Sequence, residues 1–402
     1  MQLKQFDYNL PKELIATEPA SPRDAADLLA YDIKSKKCIH EKFYNIGKFL
    51  KKGDVLVLND TRVIPARLLG RRVIASPVLG ARQSQPLGRK FKILLLEKIT
   101  PPHLPLIKGR KGGVWTCLID GRGREAGLKL YFSKNLRGEV IKKIGNGIWE
   151  IKFNKSGKAL DNLIFKLGEM PLPPYIKQGG YRKENKDWYQ TVFAKYAGSV
   201  AAPTAGLHFT PRLLSQLKKQ GVKIEYVTLH VGMGTFMPVK TEKIEEHKMH
   251  KELAIISPKT AAALNKAKKA GGRIVACGTT AARTLESFAL FCCHCEPRNR
   301  GVAISNIGKI ASSASTPPRN DRYFIRAGKK YTDIFIYPPY KFKFVDALIT
   351  NFHLPKSTLL MMVAAFLSEG DKKGIEKVKE LYAEAIKKKY RFYSYGDAML
   401  II

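Results

Sequence analysis

Residues 199–211 read SVAAPTAGLHFTP, an almost uncharged stretch in a strongly basic chain. Ala201, Ala202, Ala205 and Gly206 are small enough to let a ligand approach the backbone, and His208 stands just before Thr210–Pro211, the signature of a helix start. Such a segment is either a tightly packed turn or the floor of a pocket. Of the histidines, His208, His230, His247, His250 and His353 all lie in the second half, and imidazoles that titrate near neutrality suit proton shuttling. His247 and His250, in EEHKMH, would stand one helical turn apart if that piece is helical, but no further ligands at metal-site spacing accompany them. Cys292, Cys293, His294 and Cys295 are too close together to make one tetrahedral site, and no metal is expected.

Three other stretches follow strand-like runs, and α/β sheets bind ligands beyond the carboxyl ends of their strands. LNDTRVIPAR follows Val55 and supplies Asn59, Asp60 and Arg62 on a turn, a set able to meet a base edge or a ribose. LHVGMGTF carries Gly232 and Gly234 but neither a third glycine nor a following helix, so it fails the dinucleotide fingerprint. ACGTTAAR turns from a strand into a helix at Gly278, Thr279 and Thr280, where free N–H groups and the helix dipole favour a carboxylate or phosphate. Arg283, one turn further in, could reinforce it, while the bland reading is an ordinary turn capped by Thr279 or Thr280.

The elements that must position these residues fall into two styles. Between Val63 and Leu160 the chain reads as short strands (FKILLLEKI, VWTCLI, LKLYF, GEVIKKI, IWEIKF) punctuated by Gly and Pro, the pattern of a small barrel. That piece holds 21 Lys plus Arg and 5 Asp plus Glu, a net of +16, which makes it either a backbone-phosphate platform or a solvated basic surface. The second half alternates strands with helices. TPRLLSQLKKQG and SPKTAAALNKAKKAGG open on Thr-Pro or Ser-Pro and stop at Gly, RIVACG and VDALITNF are buried strands, and residues 374–389 form an amphipathic helix. The expected fold is a larger α/β domain with a largely parallel sheet over 1–62 and 161–402, interrupted by a β-barrel over 63–160. Residues 289–330 break the alternation and read as an inserted surface loop.

The chain has 402 residues and a formal charge of +37, far more than solubility needs, which fits a polyanionic partner. Leu359–Leu367 is about half the ~20 residues a membrane span requires. MQLKQFDYNL has no signal-peptide core, and the six cysteines are not a disulfide framework, so a reducing cytoplasm is expected.

FDYNLP, LNDTRVIPARL, GEMPLPPYI, YQTVFAKYAGSVAAPTAGLHFT, VTLHVGMGTFMPV, HKMH, CGTTAARTLE, ITNFHLPKSTLLMM and RFYSYGDAML occur in this order. Together they closely resemble the S-adenosylmethionine:tRNA ribosyltransferase-isomerases of queuosine biosynthesis, over nearly the whole chain apart from the barrel strands and the 289–330 loop. The resemblance implies an α/β domain interrupted by a smaller barrel, in a cytoplasmic monomer with no obligate protein partner. It implies S-adenosylmethionine as ribosyl donor, 7-aminomethyl-7-deazaguanine at a tRNA wobble position as acceptor, and epoxyqueuosine-tRNA, adenine and methionine as products. Such chemistry removes a proton beside the sulfonium, protonates departing adenine and deprotonates the attacking amine. His208, His230 and His353 are the expected shuttles, with Asp60 as an orienting carboxylate. The expected substrate contacts are Asn59, Thr61, Arg62, Arg67, Ser199, Thr204, Gly206, Gly232, Gly234, Thr235, His247, His250, Gly278, Thr279, Thr280, Arg283, Asn351 and Lys356. Within that set the Gly278–Thr280 turn with Arg283 would take the methionine carboxylate. The sequence departs from the family pattern at Ala26–Asp27, Pro339 and Ala281–Ala282, and none of these removes an expected acid or base. A tRNA methyltransferase would instead need a glycine-rich first strand-to-helix loop, which is not seen.

Overall fold

Two side-chain patterns build two different sheets. Where apolar residues alternate with polar ones the strands close into a barrel; where apolar residues run unbroken the strands lie buried on both faces. The computed structural model describes residues 1–73, 88–99, 113–145, 147–177, 182, 184–232, 239, 241–291 and 323–402. Their contacts define two compact units: Met1–Asp60 with Pro203–Leu229 and Pro238–Ile402, and Thr61–Ala202 with His230–Met237.

Strands and helices are numbered along the chain. The first unit is built on a nine-stranded sheet in the order β17-β13-β12-β3-β14-β18-β19-β1-β2. Its strands are β1 (Asp27–Tyr31), β2 (Cys38–Lys42), β3 (Val55–Asn59), β12 (Lys223–His230), β13 (Glu252–Ile256), β14 (Ile274–Cys277), β17 (Gly328–Thr332), β18 (Ala347–Asn351) and β19 (Ala398–Ile401). The middle of the sheet is parallel: β12 pairs with β3, β3 with β14, and β14 with β18. The VLVLN of β3 and the ALITN of β18 are buried along their whole length, as a doubly covered parallel strand requires. Outside that middle the sheet is mixed rather than largely parallel, because β18–β19, β1–β2 and β13–β17 are antiparallel. The helices of this unit are α4 (Pro211–Lys219), α5 (Pro258–Lys269), α6 (Gly278–Phe288), α7 (Thr358–Leu367) and α8 (Gly374–Lys387). Of the interval read as a loop, β15 (Ala289–Phe291) and β16 (Tyr323–Ile325) pair antiparallel at its two ends. Residues 292–322, including Cys292, Cys293, His294 and Cys295, lie outside the described residues.

The second unit holds a closed six-stranded barrel, β10-β7-β6-β5-β8-β9. Its strands are β5 (Arg67–Arg72), β6 (Lys90–Ile99), β7 (Val114–Asp120), β8 (Lys129–Ser133), β9 (Leu136–Gly145) and β10 (Ile148–Phe153). Alternation is plain in β7, where Trp115, Cys117 and Ile119 face inward, and in β10, where Trp149, Ile151 and Phe153 do. Beside the barrel, β4 (Thr61–Val63) pairs with β11 (Tyr196–Ser199), and three short helices follow, α1 (Gly157–Leu167), α2 (Pro174–Lys177) and α3 (Asn185–Trp188). Leu160 and Ile164 of α1 join the barrel core, and Arg67 bridges to Glu169 through the backbone, so this unit continues past residue 160 as far as Ala202. No helix among the described residues is long and apolar enough to cross a membrane.

Candidate functional site

The parallel middle of the first unit's sheet sets three carboxyl ends side by side: Asn59 ending β3 with Asp60 after it, Gly278 after β14, and Asn351 ending β18. Helix α6 starts at Gly278, whose φ of +85° is a conformation glycine adopts without strain. Helices α4, α5 and α7 are each capped by a hydroxyl, of Thr210, Ser257 and Ser357, which accepts from a first-turn N–H. Helix α6 has no such cap: its N-cap is Cys277, and Thr279 and Thr280 lie inside the first turn. Its leading N–H groups are therefore not met by a capping side chain. Thr280 Oγ1 and Arg283 Nη2, buried and one turn apart, find no partner among the described residues. A buried polar atom left unpaired costs about 1–3 kcal/mol, so the start of α6 presents polar groups in want of an acceptor or donor. The Arg283 charge is matched by buried Glu252, and its Nε donates to the Ile334 carbonyl at 3.2 Å, so Arg283 brings an N–H donor rather than net charge.

The segment that contains His208 is packed against this start. It forms a 3₁₀ turn, Thr204–His208, and a Cβ added at Gly278 would sit 3.6 Å from the Ala205 methyl. Thr204 Oγ1 donates to Asn351 Oδ1 at 2.9 Å, which fixes the amide so that Asn351 Nδ2 points to His208 Nε2 at 3.2 Å. The Arg23 backbone bonds the same ring and favours its protonated form, so its carbonyl accepts from Nδ1–H. His208 is thus held as the Nδ1–H tautomer, with Phe43 4.9 Å from its ring centre. Burial first, and then the Arg391 and Arg23 charges, push its pKa down to about 3. It is neutral near pH 7 and has a lone pair to offer but no proton at Nε2. Gly206 is buried within the turn.

His353, just beyond β18, is also buried and pushed down to about 3 by desolvation. Its Nε2 lies 2.7 Å from Thr350 Oγ1, its backbone N–H donates to Tyr382 at 3.0 Å, and its carbonyl accepts from the Tyr8 hydroxyl. At the β3 end, Asn59 exchanges two hydrogen bonds with the Leu229 backbone, at 3.1 and 3.0 Å, and so locks β3 to β12. Asp60 accepts from Thr228 Oγ1 at 2.6 Å, and burial together with the Asp60 charge pushes the Tyr226 phenol up.

The second unit holds a separate set. Thr61 Oγ1 is 2.8 Å from His230 Nδ1, and Gly198 makes that position of the ring available, since a Cβ there would fall 2.8 Å from the same nitrogen. Ser199 is fully buried and bonded to the Ala201 and Val231 backbones. Arg62 donates to the Ala194 carbonyl at 2.9 Å and Arg67 to that of Leu172 at 3.5 Å. Gly232 follows β12, whereas Gly234 and Thr235 lie outside the described residues.

The remaining expected contacts sit apart from the strand ends in their bonding. The EEHKMH piece is not a helix: a 3₁₀ turn ends at Glu246, and His247 packs edge-on to Phe335 at 5.5 Å with its pKa lowered by burial and by His250. His250 itself is exposed. Lys356 pairs with Asp7 at 2.7 Å. Several residues that hold the site were not read from the sequence: Arg23, Phe43, Thr228, Glu252 and Thr350. Only Thr350, three residues before His353, lies close enough along the chain to have been found by spacing.

Residues 3–401 match the model of the queuosine biosynthesis protein family. The chain belongs to that family. It is 43% identical over 404 residues to the S-adenosylmethionine:tRNA ribosyltransferase-isomerase of Thermoanaerobacter sp. (strain X514), covering 100% of both chains. The protein of the same description from Thermotoga petrophila is 43% identical over 403 residues, again with 100% of both covered. A crystal structure of the S-adenosylmethionine tRNA ribosyltransferase from Thermotoga maritima is 33% identical, covers 99% of this chain and 100% of its own, and superposes with a TM-score of 0.47. The chain is an enzyme of the S-adenosylmethionine:tRNA ribosyltransferase-isomerase family, and the match spans both units.

Proposed function

We propose that this enzyme transfers and isomerises the ribosyl group of S-adenosylmethionine onto 7-aminomethyl-7-deazaguanine at a tRNA wobble position, in the cytoplasm, releasing adenine and methionine. The observation that carries this reading is the full-length similarity to relatives named for that ribosyl transfer. The geometry supports it. The uncapped start of α6, with Thr280 Oγ1 and Arg283 Nη2 unpaired, fits the carboxylate of a bound methionyl group. In this assignment the Gly278–Thr280 turn binds that carboxylate, and Asn59, Thr61 and Arg62 serve the ribose or the modified base.

The sulfonium acidifies the adjacent ribose carbon, so the reaction begins with a base. A neutral histidine is suited to this, and His208, His230 and His353 are assigned the proton transfers, with Asp60 as orienting carboxylate. Asn351 is assigned the orientation of His208, because its amide occupies Nε2 and would have to yield that lone pair to a substrate proton. The barrel is assigned to the tRNA backbone: Arg71, Arg72, Lys90, Lys92, Lys129 and Arg137 stand exposed on its strands.

Incubation with S-adenosylmethionine and a tRNA carrying 7-aminomethyl-7-deazaguanine is expected to release adenine and methionine in equal amounts, and only with that tRNA. Formation of S-adenosylhomocysteine would mean methyl transfer and would overturn the proposal.

A further inference from the structure

Away from the strand ends, a second group of reactive side chains gathers where the edge strand β2 meets α8. Cys38 and His40 are two residues apart on β2 and so share a face, and Glu384 of α8 approaches that face. The Cys38 Sγ, one ring nitrogen of His40 and a Glu384 carboxylate oxygen all lie within 4.8 Å of one another. His40 Nε2 is 3.9 Å from Cys38 Sγ and 2.8 Å from Glu384 Oε1. Around a tetrahedral zinc ion with ordinary bond lengths, neighbouring ligand atoms stand about 3.3–3.6 Å apart. The first of these pairs would close by about 0.3 Å and the second open by about 0.5 Å to reach that spacing.

We propose that Cys38, His40 and Glu384 form a three-ligand site for a divalent ion of the zinc class, which ties edge strand β2 to α8. The donor set is of the thiolate, imidazole and carboxylate types that such ions take, and one thiolate and one carboxylate neutralise the ion's charge. The second layer is in place as well. Tyr390 Oη lies 2.8 Å from His40 Nδ1 and orients the ring so that Nε2 faces the other two ligands. On binding, the sulfur–metal bond forms as the thiol proton leaves to solvent. The proton on Nε2 is given up and Nδ1 carries one toward Tyr390 Oη, so a neutral ring stays neutral. All three ligands are half-buried, which leaves a path for the ion and room for water at the fourth position. Burial and then Glu384 push the Cys38 thiol up to about 11, with Lys377 and Lys388 opposing them, so it is the ion itself that displaces the thiol proton. The site is independent of the reaction proposed above.

Titrating the full chain with Co²⁺ in place of zinc is the direct test. One equivalent is expected to give a thiolate-to-cobalt charge-transfer band that Zn²⁺ abolishes and Mg²⁺ does not. Cys38→Ser should remove the band, and His40→Ala or Glu384→Ala should weaken binding at least about tenfold. Replacing Cys292, Cys293 and Cys295 together by Ser should leave it in place. A second readout needs no variant: Zn²⁺ should slow alkylation of Cys38 in the unaltered chain about tenfold or more, followed by peptide mapping. Absence of the band, its survival in Cys38→Ser, its loss in the triple variant, or alkylation of Cys38 indifferent to Zn²⁺ would each overturn the proposal.

Discussion

The barrel interior and the carboxyl ends of the parallel strands are equally buried and chemically opposite. The barrel core is a run of apolar side chains, from Ile93 and Leu95 through Cys117, Leu130 and Val140 to Ile151, in which the Trp115 indole N–H is a buried polar exception without a partner among the described residues. At the strand ends Asn59, Asp60, His208, Thr280, Arg283, Asn351 and His353 are all below one-tenth exposed. Burying polar groups is costly unless each is paired, so a chain under selection for stability alone would build both regions as it builds the barrel. The strand ends show partial pairing instead. Asn59, Asp60 and Asn351 are bonded, while Thr280 Oγ1 and Arg283 Nη2 have no partner among the described residues. One region holds the chain together; the other keeps a cluster of polar groups buried at a cost in stability, which the proposed substrate site would offset.

The largest expected effect that separates the two is on turnover. His208→Ala should lower kcat by about 10²–10⁴-fold with a much smaller change in melting temperature. Equal losses in both, measured by adenine release and thermal unfolding, would make His208 a packing residue like those of the barrel. In the barrel the pattern should invert. Ile151→Ala is expected to cost about 2–5 kcal/mol of stability by leaving a cavity, while the folded fraction keeps its kcat. Denaturant titration with parallel assays checks both halves.

Acid should act on the strand ends and spare the barrel core. His208 and His353 stay neutral in the fold down to about pH 3, whereas an unfolded histidine takes up its proton near pH 6.5. Between those values the unfolded chain binds more protons, so stability falls as pH is lowered from about 6.5 to about 3, by up to ~1.4 kcal/mol per pH unit for each ring. Replacing either histidine with an uncharged residue should flatten that slope, as read from unfolding midpoints across pH.

The smallest effect is the most specific. Thr280→Val removes an unpaired hydroxyl at nearly constant volume, so stability should hold or rise slightly. The KM for S-adenosylmethionine should rise about five- to tenfold, the worth of one hydrogen bond of about 1 kcal/mol. An unchanged KM would remove Thr280 from the carboxylate site.

Much of this was legible in the sequence, and what was legible had local causes. Short strand-like runs punctuated by Gly and Pro marked the barrel, Thr-Pro and Ser-Pro marked the starts of α4 and α5, and strand-then-Gly marked the turn at Gly278. The reading of α6 shows where locality ends. Thr279 and Thr280 looked like caps because threonine is a good one, yet the glycine's positive φ places Cys277 at the cap position and carries both threonines into the helix. Arg283 looked like an anion binder, but its charge is taken up by Glu252 on β13, thirty-one positions away. The partners of His208 come from residues 23, 43 and 351, and no spacing rule joins them. The mixed edges of the sheet escaped for a related reason: β19 is four residues long, too short for periodicity to declare it.

In the proposed reaction S-adenosylmethionine gives up its ribosyl group rather than its methyl group. The most direct measurement uses two preparations of S-adenosylmethionine, one labelled in the ribose and one in the methyl, each incubated with the enzyme and a tRNA bearing 7-aminomethyl-7-deazaguanine. Ribose label is expected in the tRNA and methyl label only in free methionine. Methyl label in the tRNA, with the ribose label left in S-adenosylhomocysteine, would contradict the proposed reaction.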